Sequence, residues 1–153
     1  MQLIGFNLNK IKAEKSPNFI RGSINTNIEF TDINKEKLDL LKDNDALKIS
    51  FIFSITYSYQ DKQDKEKDEK ENQGEISFYG DMLFSANKEE SKDILKAWKK
   101  KQILDQFRIP MINFVLKKCS VKALSLEEDL NLPVHIPFPQ VQKPQPPPQT
   151  LYS

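Results

Sequence analysis

The sequence predicts an α+β fold, in which a four-stranded antiparallel sheet carries helices packed on one face, in a single domain. Two observations predict this fold class. Four segments within the first 85 residues alternate apolar and polar side chains with a period of two, as strands covered on one face do. From Asn87 onward the apolar residues instead follow a helical period. Four one-faced strands in succession favour an antiparallel sheet, and the helices are expected to cover its apolar face.

The clearest strand is residues 48–59, in which every second residue from Ile49 to Tyr59 is apolar. Residues 73–85 repeat the alternation, so this segment is expected to pair with residues 48–59. Upstream, residues 20–30 predict a further strand, and an earlier one is indicated by Ile4, Phe6 and Leu8. The polar residues 31–44 separate the second and third strands and are long enough for a crossover, with a short helix around 35–41. The order of the strands stays open.

The helical part begins at Asn87, which forms a capping box with Glu90 three residues later. The residues expected to face inward are Ile94, Leu95 and Trp98, followed by Ile103, Phe107, Met111, Phe114 and Val115. Pro110 interrupts this stripe, since proline removes a backbone donor and clashes with the preceding turn. We therefore expect a break near Arg108 and a second helix from about Pro110.

After the helices, residues 130–139 alternate apolar side chains with prolines. Because prolines cannot donate backbone hydrogen bonds, this segment can be neither a helix nor a central strand. It is predicted to be extended, and we call it the C-terminal ribbon. The ribbon must either lie on its own fold or offer apolar surface to a partner, and the two are compatible. Residues 140–153 are rich in proline and are predicted to be a disordered tail, so the domain spans residues 1–139.

Composition excludes several classes of protein. The 23 basic and 22 acidic residues nearly cancel, which gives no overall field for nucleic acid or an anionic membrane. No segment approaches the roughly 20 apolar residues of a membrane span, and no export signal is present, so a cytoplasmic location is expected. The single cysteine, Cys119, excludes an intramolecular disulfide and is expected to be a buried thiol.

Catalysis and cofactor binding are not expected. The chain has four glycines and no phosphate-binding loop, dinucleotide fingerprint or zinc-protease pattern. His135 is the only histidine, and one isolated imidazole cannot build a multi-histidine metal site. We therefore predict a non-enzymatic protein without metal or cofactor, in which His135 has a structural or partner-facing role.

The succession of four strands, a crossover after the second, and a helix opened by proline, ending in Leu130-Asn131-Leu132-Pro133-Val134, resembles the SecB family of export chaperones. In that family a Leu-Asn-Leu-x-Pro-Val-like segment follows the long helix, and residues 3–134 can be laid along the pattern. The resemblance implies a homo-oligomer, a tetramer built as a dimer of dimers, that holds unfolded polypeptides without ATP. It also implies grooves bounded by the crossover, here residues 31–44, and by the segment after the long helix, here residues 130–138.

This chain departs from the family in three respects. A proline-rich tail replaces the family's second helix, the net charge is close to neutral where the family is acidic, and no cysteine follows Cys119, where the family carries a zinc-binding tail. Docking to an export motor is therefore left open, and so is service to one dedicated client, since some SecB-like proteins guard an antitoxin.

The function predicted is binding of unfolded or partly folded polypeptides through apolar contacts. The residues predicted to line the contact are Leu132, Val134, Ile136 and Phe138, with Trp98 and Tyr59 at its edge. One alternative is a scaffold or adaptor protein whose proline-rich tail is the ligand of another protein. A second alternative is a carrier of a small apolar ligand, which would require an enclosed cavity between sheet and helices.

Overall fold

A computed structural model describes residues 1–39, 41–59 and 71–144. The elements are β1 (Gln2–Lys15), β2 (Ser23–Glu36), β3 (Asp45–Tyr59), β4 (Glu71–Ala86), α1 (Lys88–Trp98) and α2 (Asp105–Asp129). The predicted fold class is confirmed: the four strands form one antiparallel sheet, and the two helices follow it in the chain.

The order of the strands is β1-β4-β3-β2, so β2 and β3 are direct neighbours. The crossover predicted between these two strands is therefore wrong. The crossover instead joins β1 to β2, which lie at opposite edges, and residues 16–22 must pass across the end of the sheet. The side chain of Gln73 in β4 fixes this connection, because its Oε1 accepts from the Ile20 N–H at 2.6 Å and its Nε2 donates to the Ile20 carbonyl at 2.7 Å.

The short helix predicted around residues 35–41 is also wrong where the structure describes this segment. Strand β2 continues to Glu36, which pairs with Ala46 of β3. A register shift between Phe30 and Asp32 reverses the alternation, so that Ile33 lies on the same face as Phe30 and is buried. The alternation in the sequence therefore stops at Phe30, although the strand continues to Glu36.

The break between the helices lies at residues 99–104, earlier than the predicted break near Arg108. Helix α1 closes with a Schellman motif, in which the N–H of Gln102 donates to the Ala97 carbonyl at 3.1 Å and Lys101 takes a positive φ of 55°. The Lys101 ammonium lies 4.7 Å from the centre of the Trp98 ring, a cation–π contact that accompanies this turn. Pro110 lies inside α2, where it forfeits one hydrogen bond without ending the helix.

Both helices belong to the core, which fills the space over one face of the sheet. The buried residues of α2 recur at every fourth position: Phe107, Met111, Val115, Cys119, Ala123 and Glu127. At about 100° per residue, each step of four turns the line of contact by about 40°, so the buried side moves around the helix along its length. Cys119 is the buried thiol that was predicted, and burial raises its pKa to about 11.

The proline-rich tail and the connection between β3 and β4 lie mainly or wholly outside the described residues. The proline-rich tail is described only for residues 140–144, which have no regular secondary structure, and 145–153 lie outside. Residues 60–70, which join β3 to β4, also lie outside. Neither of the two helices in the described part of the chain has the length and apolar content that a membrane span needs.

Candidate functional site

The end of α2 turns the chain back onto the sheet. Asn131 takes a positive φ of 54°, the N–H of Leu132 donates to the Glu127 carbonyl at 2.8 Å, and that of Asn131 donates to the Glu128 carbonyl at 3.2 Å. This is a second Schellman motif, with asparagine at the left-handed position and an apolar residue directly after it. Pro133 follows and prevents the helix from resuming. The motif therefore explains the sequence Leu-Asn-Leu-Pro as a stop signal for the helix.

Leu132 is drawn into the core by this turn and is only 6% exposed. It lies next to the sheet at Gly74 and Tyr57: a methyl group placed on Gly74 would be 3.5 Å from Leu132 Cδ2 and 3.6 Å from Tyr57 Cδ2. Leu132 was predicted to line a contact with a partner. The structure instead buries it at the start of the C-terminal ribbon, where it anchors the ribbon to the sheet.

A second anchor is formed by three buried polar side chains from three different parts of the chain. Glu127 of α2 is fully buried and accepts from the Tyr57 hydroxyl of β3 through Oε2. Its other oxygen, Oε1, lies 2.6 Å from Nδ1 of His135 in the ribbon, and because a carboxylate only accepts, we assign the ring N–H as the donor. We call these three residues the Glu127 cluster. It connects sheet, helix and ribbon through a single carboxylate.

The Glu127 cluster has defined electrostatic consequences. Burial, together with the bond to the Glu127 carboxylate, raises the pKa of the Tyr57 phenol far above its ordinary value, so that the phenol stays a donor. Both oxygens of the carboxylate have a donor. The other ring nitrogen of His135, Nε2, is buried and has no hydrogen-bond partner among the described residues. The cluster is therefore satisfied at Glu127 and incomplete at His135.

The course of the ribbon follows from these contacts. Leu132 lies near Tyr57, and the His135 ring packs edge-on against Phe53, with 6.2 Å between ring centres. The ribbon thus runs back along β3 on the face that the helices cover. Three prolines lack backbone donors, and the residues between them alternate in direction. The outward apolar residues are Val134, Ile136 and Phe138, which are 40%, 38% and 57% exposed.

The structure separates the other two predicted site residues. Tyr59 is half-buried and is the last residue of β3. Leu132 lies at this same end of the strand. Trp98 packs on the core at the end of α1, and this helix begins just beyond β4, at the opposite end of the sheet. The 15 residues of β3 span about 50 Å, whereas α1 is only about 16 Å long. Tyr59 and Trp98 therefore do not lie at one edge of a common surface.

The residues of the true crossover were not among the predicted site residues. Phe19 packs edge-on against Tyr57, with 6.3 Å between ring centres, and Ile20 is 51% exposed beside it in the chain. The crossover thus reaches the same end of the sheet as the Glu127 cluster. Of residues 31–44, predicted to bound a groove, 31–36 belong to β2, and 37–39 and 41–44 lie at the other end of the sheet, near Asp45. A period-two reading from Ile20 to Phe30 concealed the crossover because it assigned Ile20 to the strand.

Two further observations concern a metal site and the predicted alternative of a small apolar ligand. Among residues 1–39, 41–59 and 71–144, no group of three histidine, cysteine or acidic side chains is placed to hold a metal ion. A depression of about 560 Å³ lies between the two helices, but it is open and carries Glu89, Glu90 and Asp93 along its wall. Three carboxylates do not suit a small apolar ligand.

Comparison with known proteins gives one structural likeness. No family model and no curated protein matches this chain. A solved structure that is similar to it is that of the Mycobacterium tuberculosis Rv1957 SecB-like chaperone in complex with a ChAD peptide from the Rv1956 HigA1 antitoxin. The identity is 14%, the TM-score is 0.44, and the likeness covers 94% of this chain and 92% of that chain. The family named there is the one that the sequence resembles.

Proposed function

We propose that this protein is an ATP-independent chaperone that holds unfolded or partly folded polypeptides, with the C-terminal ribbon at its binding surface. One observation carries the proposal: Val134, Ile136 and Phe138 are exposed on an extended segment that is itself fixed to the fold by Leu132 and His135. An apolar edge held out by buried anchors has no evident role in the packing of the domain.

The chemistry of such an edge suits an unfolded chain. The three side chains offer apolar contact without a shaped polar pocket, so they do not read a particular sequence. Weak contacts of this kind add along an extended client through effective concentration. Because the sequence has no phosphate-binding loop, binding and release in this proposal need no nucleotide.

We assign the oligomer predicted from the resemblance, a tetramer built as a dimer of dimers, to the outer side of α2. Ile109 and Leu116 are 55% and 37% exposed, and half-buried Ile112 lies between them at helical spacing. These residues form an apolar stripe opposite the buried side of the first half of the helix. Light scattering on the samples of the binding experiment measures the mass directly.

The test is suppression of aggregation of a chemically unfolded, unrelated protein diluted into buffer. Wild type is compared with Ile136→Ser/Phe138→Ser, in which the ribbon loses its outward apolar side chains but keeps both anchors. The matched control is Ile11→Ser/Val141→Ser, which removes two exposed apolar residues, 49% and 104% exposed, outside the ribbon.

We expect wild type and the control to suppress aggregation and the folded ribbon variant to lose suppression. Equal suppression by the ribbon variant would remove the ribbon from the binding surface. No suppression by well-folded wild type would overturn a general chaperone and leave a single dedicated client, as some SecB-like proteins have, or an adaptor role for the tail. Deleting residues 140–153 separates these two, since only an adaptor would lose its partner.

A further inference from the structure

We infer that the C-terminal ribbon is a displaceable cover over the aromatic face of the sheet, and that the bond from His135 to Glu127 holds it in place. A client that contacts the outward side chains of the ribbon then also occupies the surface that the ribbon leaves. This inference rests on the proposed function and adds a regulatory step to it. We call the arrangement seen in the structure closed, and the arrangement with His135 withdrawn from Glu127 open.

The first support is that few hydrogen bonds hold the ribbon on the fold. Beyond Leu132, the backbone–backbone hydrogen bonds of the described residues include none from the ribbon. Pro133, Pro137 and Pro139 have no N–H to give. Among the described residues past Leu132, the polar contact with the body of the protein is the bond from His135 to Glu127. Breaking this bond thus leaves residues 133–139 held only by apolar packing while Leu132 stays in the core.

The second support is the aromatic surface that lies beneath the ribbon. Phe53 is fully buried and packs edge-on against the His135 ring on one side and on Phe78 on the other, with 6.0 Å between the centres of the two phenylalanine rings. Withdrawal of His135 would uncover Phe53 and give Glu127 access to water. The open form therefore offers an aromatic surface next to Tyr57 and Phe19, whereas the closed form offers only the outward edge of the ribbon.

The third support is that the closed form leaves one ring nitrogen of His135 without a hydrogen bond. In the closed form its Nε2 is buried without a partner, which costs the hydration of one polar atom, and opening restores that hydration. The same movement gives up the bond to Glu127 and the packing on Phe53. Opposing contributions of this kind keep the closed form favoured without making it permanent, so a client that binds the open form more tightly can shift the population.

Wild-type protein provides the decisive test, because His135 is the only histidine in the chain. Selective ¹⁵N-histidine labelling therefore gives the ring signals of this one residue. The probe client is reduced, carboxymethylated α-lactalbumin, which stays unfolded. We expect client binding to move the ring signals from their closed positions toward those of the same protein unfolded in urea.

A pair of variants measures the bond itself. His135→Asn keeps an N–H donor at the position of Nδ1 and serves as the matched control, whereas His135→Ala removes the donor. We expect His135→Ala to bind the client about tenfold more tightly than wild type, as loss of a hydrogen bond to a charged group predicts, and His135→Asn to change the affinity less than about threefold.

The outcomes separate the two proposals. If the client binds while the His135 signals stay at their closed positions, the cover is overturned and the proposed function stands. The cover is also overturned if folded His135→Ala binds no more tightly than His135→Asn; should His135→Ala fail to fold, the wild-type spectra decide alone. If wild type binds no client, the proposed function fails and the cover falls with it.

Discussion

Replacing Glu127 by leucine removes the carboxylate on which three parts of the fold converge, and we expect it to lower the free energy of unfolding markedly. Leucine is similar in volume to glutamate, so the cavity contribution is small. The Tyr57 hydroxyl and His135 Nδ1 both lose their partner in a site that water does not reach. At about 1–3 kcal/mol for each buried donor left unpaired, the expected loss is about 2–6 kcal/mol. A domain with about 5–15 kcal/mol of stability stays folded in most of this range.

The assay is urea unfolding followed by circular dichroism and by the fluorescence of Trp98, the only tryptophan. Glu128→Leu is the matched control, since Glu128 is the exposed neighbour and its replacement should change the stability by less than about 0.5 kcal/mol. We also expect Glu127→Leu/Tyr57→Phe/His135→Leu, which removes all the polar partners together, to recover most of the loss. A triple variant as unstable as the single one would show that the loss comes from packing, and would refute the account from unpaired donors.

Three further predictions concern other parts of the molecule. Because burial raises the pKa of Cys119 to about 11, iodoacetamide at pH 8 should modify it only when the protein is unfolded, as mass spectrometry can check. Gly80→Ala places a methyl group 2.4 Å from a backbone oxygen of β1 and should cost about 1–3 kcal/mol in urea unfolding, whereas Gly5→Ala meets only a side chain at 3.3 Å and should cost less. The Ser77 hydroxyl lowers the pKa of Glu75 from 4.5, so Ser77→Ala should lose stability at pH 7, and unfolding curves of variant and wild type should converge as the pH falls below 4.5.

The sign of the pH dependence follows from the direction of the shift. A carboxyl group whose pKa is lower in the folded protein adds stability above its unfolded pKa, and this contribution is lost as the pH falls through the folded pKa. The gap between Ser77→Ala and wild type should therefore be constant near neutral pH and close only in acid. A gap that persists unchanged in acid would mean that Ser77 acts through packing and not through Glu75.

The strands were largely predictable because each has one buried face, and the period of two records that directly. Prediction of the strand ends failed where a register shift changed which residues face the core. The register shift after Phe30 puts Ile33 on the same face as Phe30, and this hid the last six residues of β2 and suggested a crossover in their place. The real crossover depends on the Gln73 amide binding the backbone of Ile20 across the end of the sheet, a contact 53 residues apart in the chain. No local pattern encodes such a contact.

The helix ends show a different limit. Both helices stop with a Schellman motif, at Lys101 and at Asn131. Asparagine tolerates the left-handed conformation, and with Leu132 and Pro133 behind it the second stop could have been read from the sequence. Lysine gives no such signal at the first stop, and Pro110, the conventional breaker, lies where the helix tolerates it. A residue type therefore predicts a helix end only when its neighbours agree with it.

The buried carboxylate was the least expected feature, since glutamate is almost never fully buried without a partner. A signal for it was nevertheless present. The apolar residues of α2 recur at every fourth position as far as Ala123, and the next step falls on Glu127, which the same line of contact must bury. A buried carboxylate requires donors. The only histidine lies eight residues further on, in a segment that the Asn131 turn directs back onto the sheet, so the pairing of Glu127 with His135 follows from the helix period, the helix stop and the cost of burying a charge.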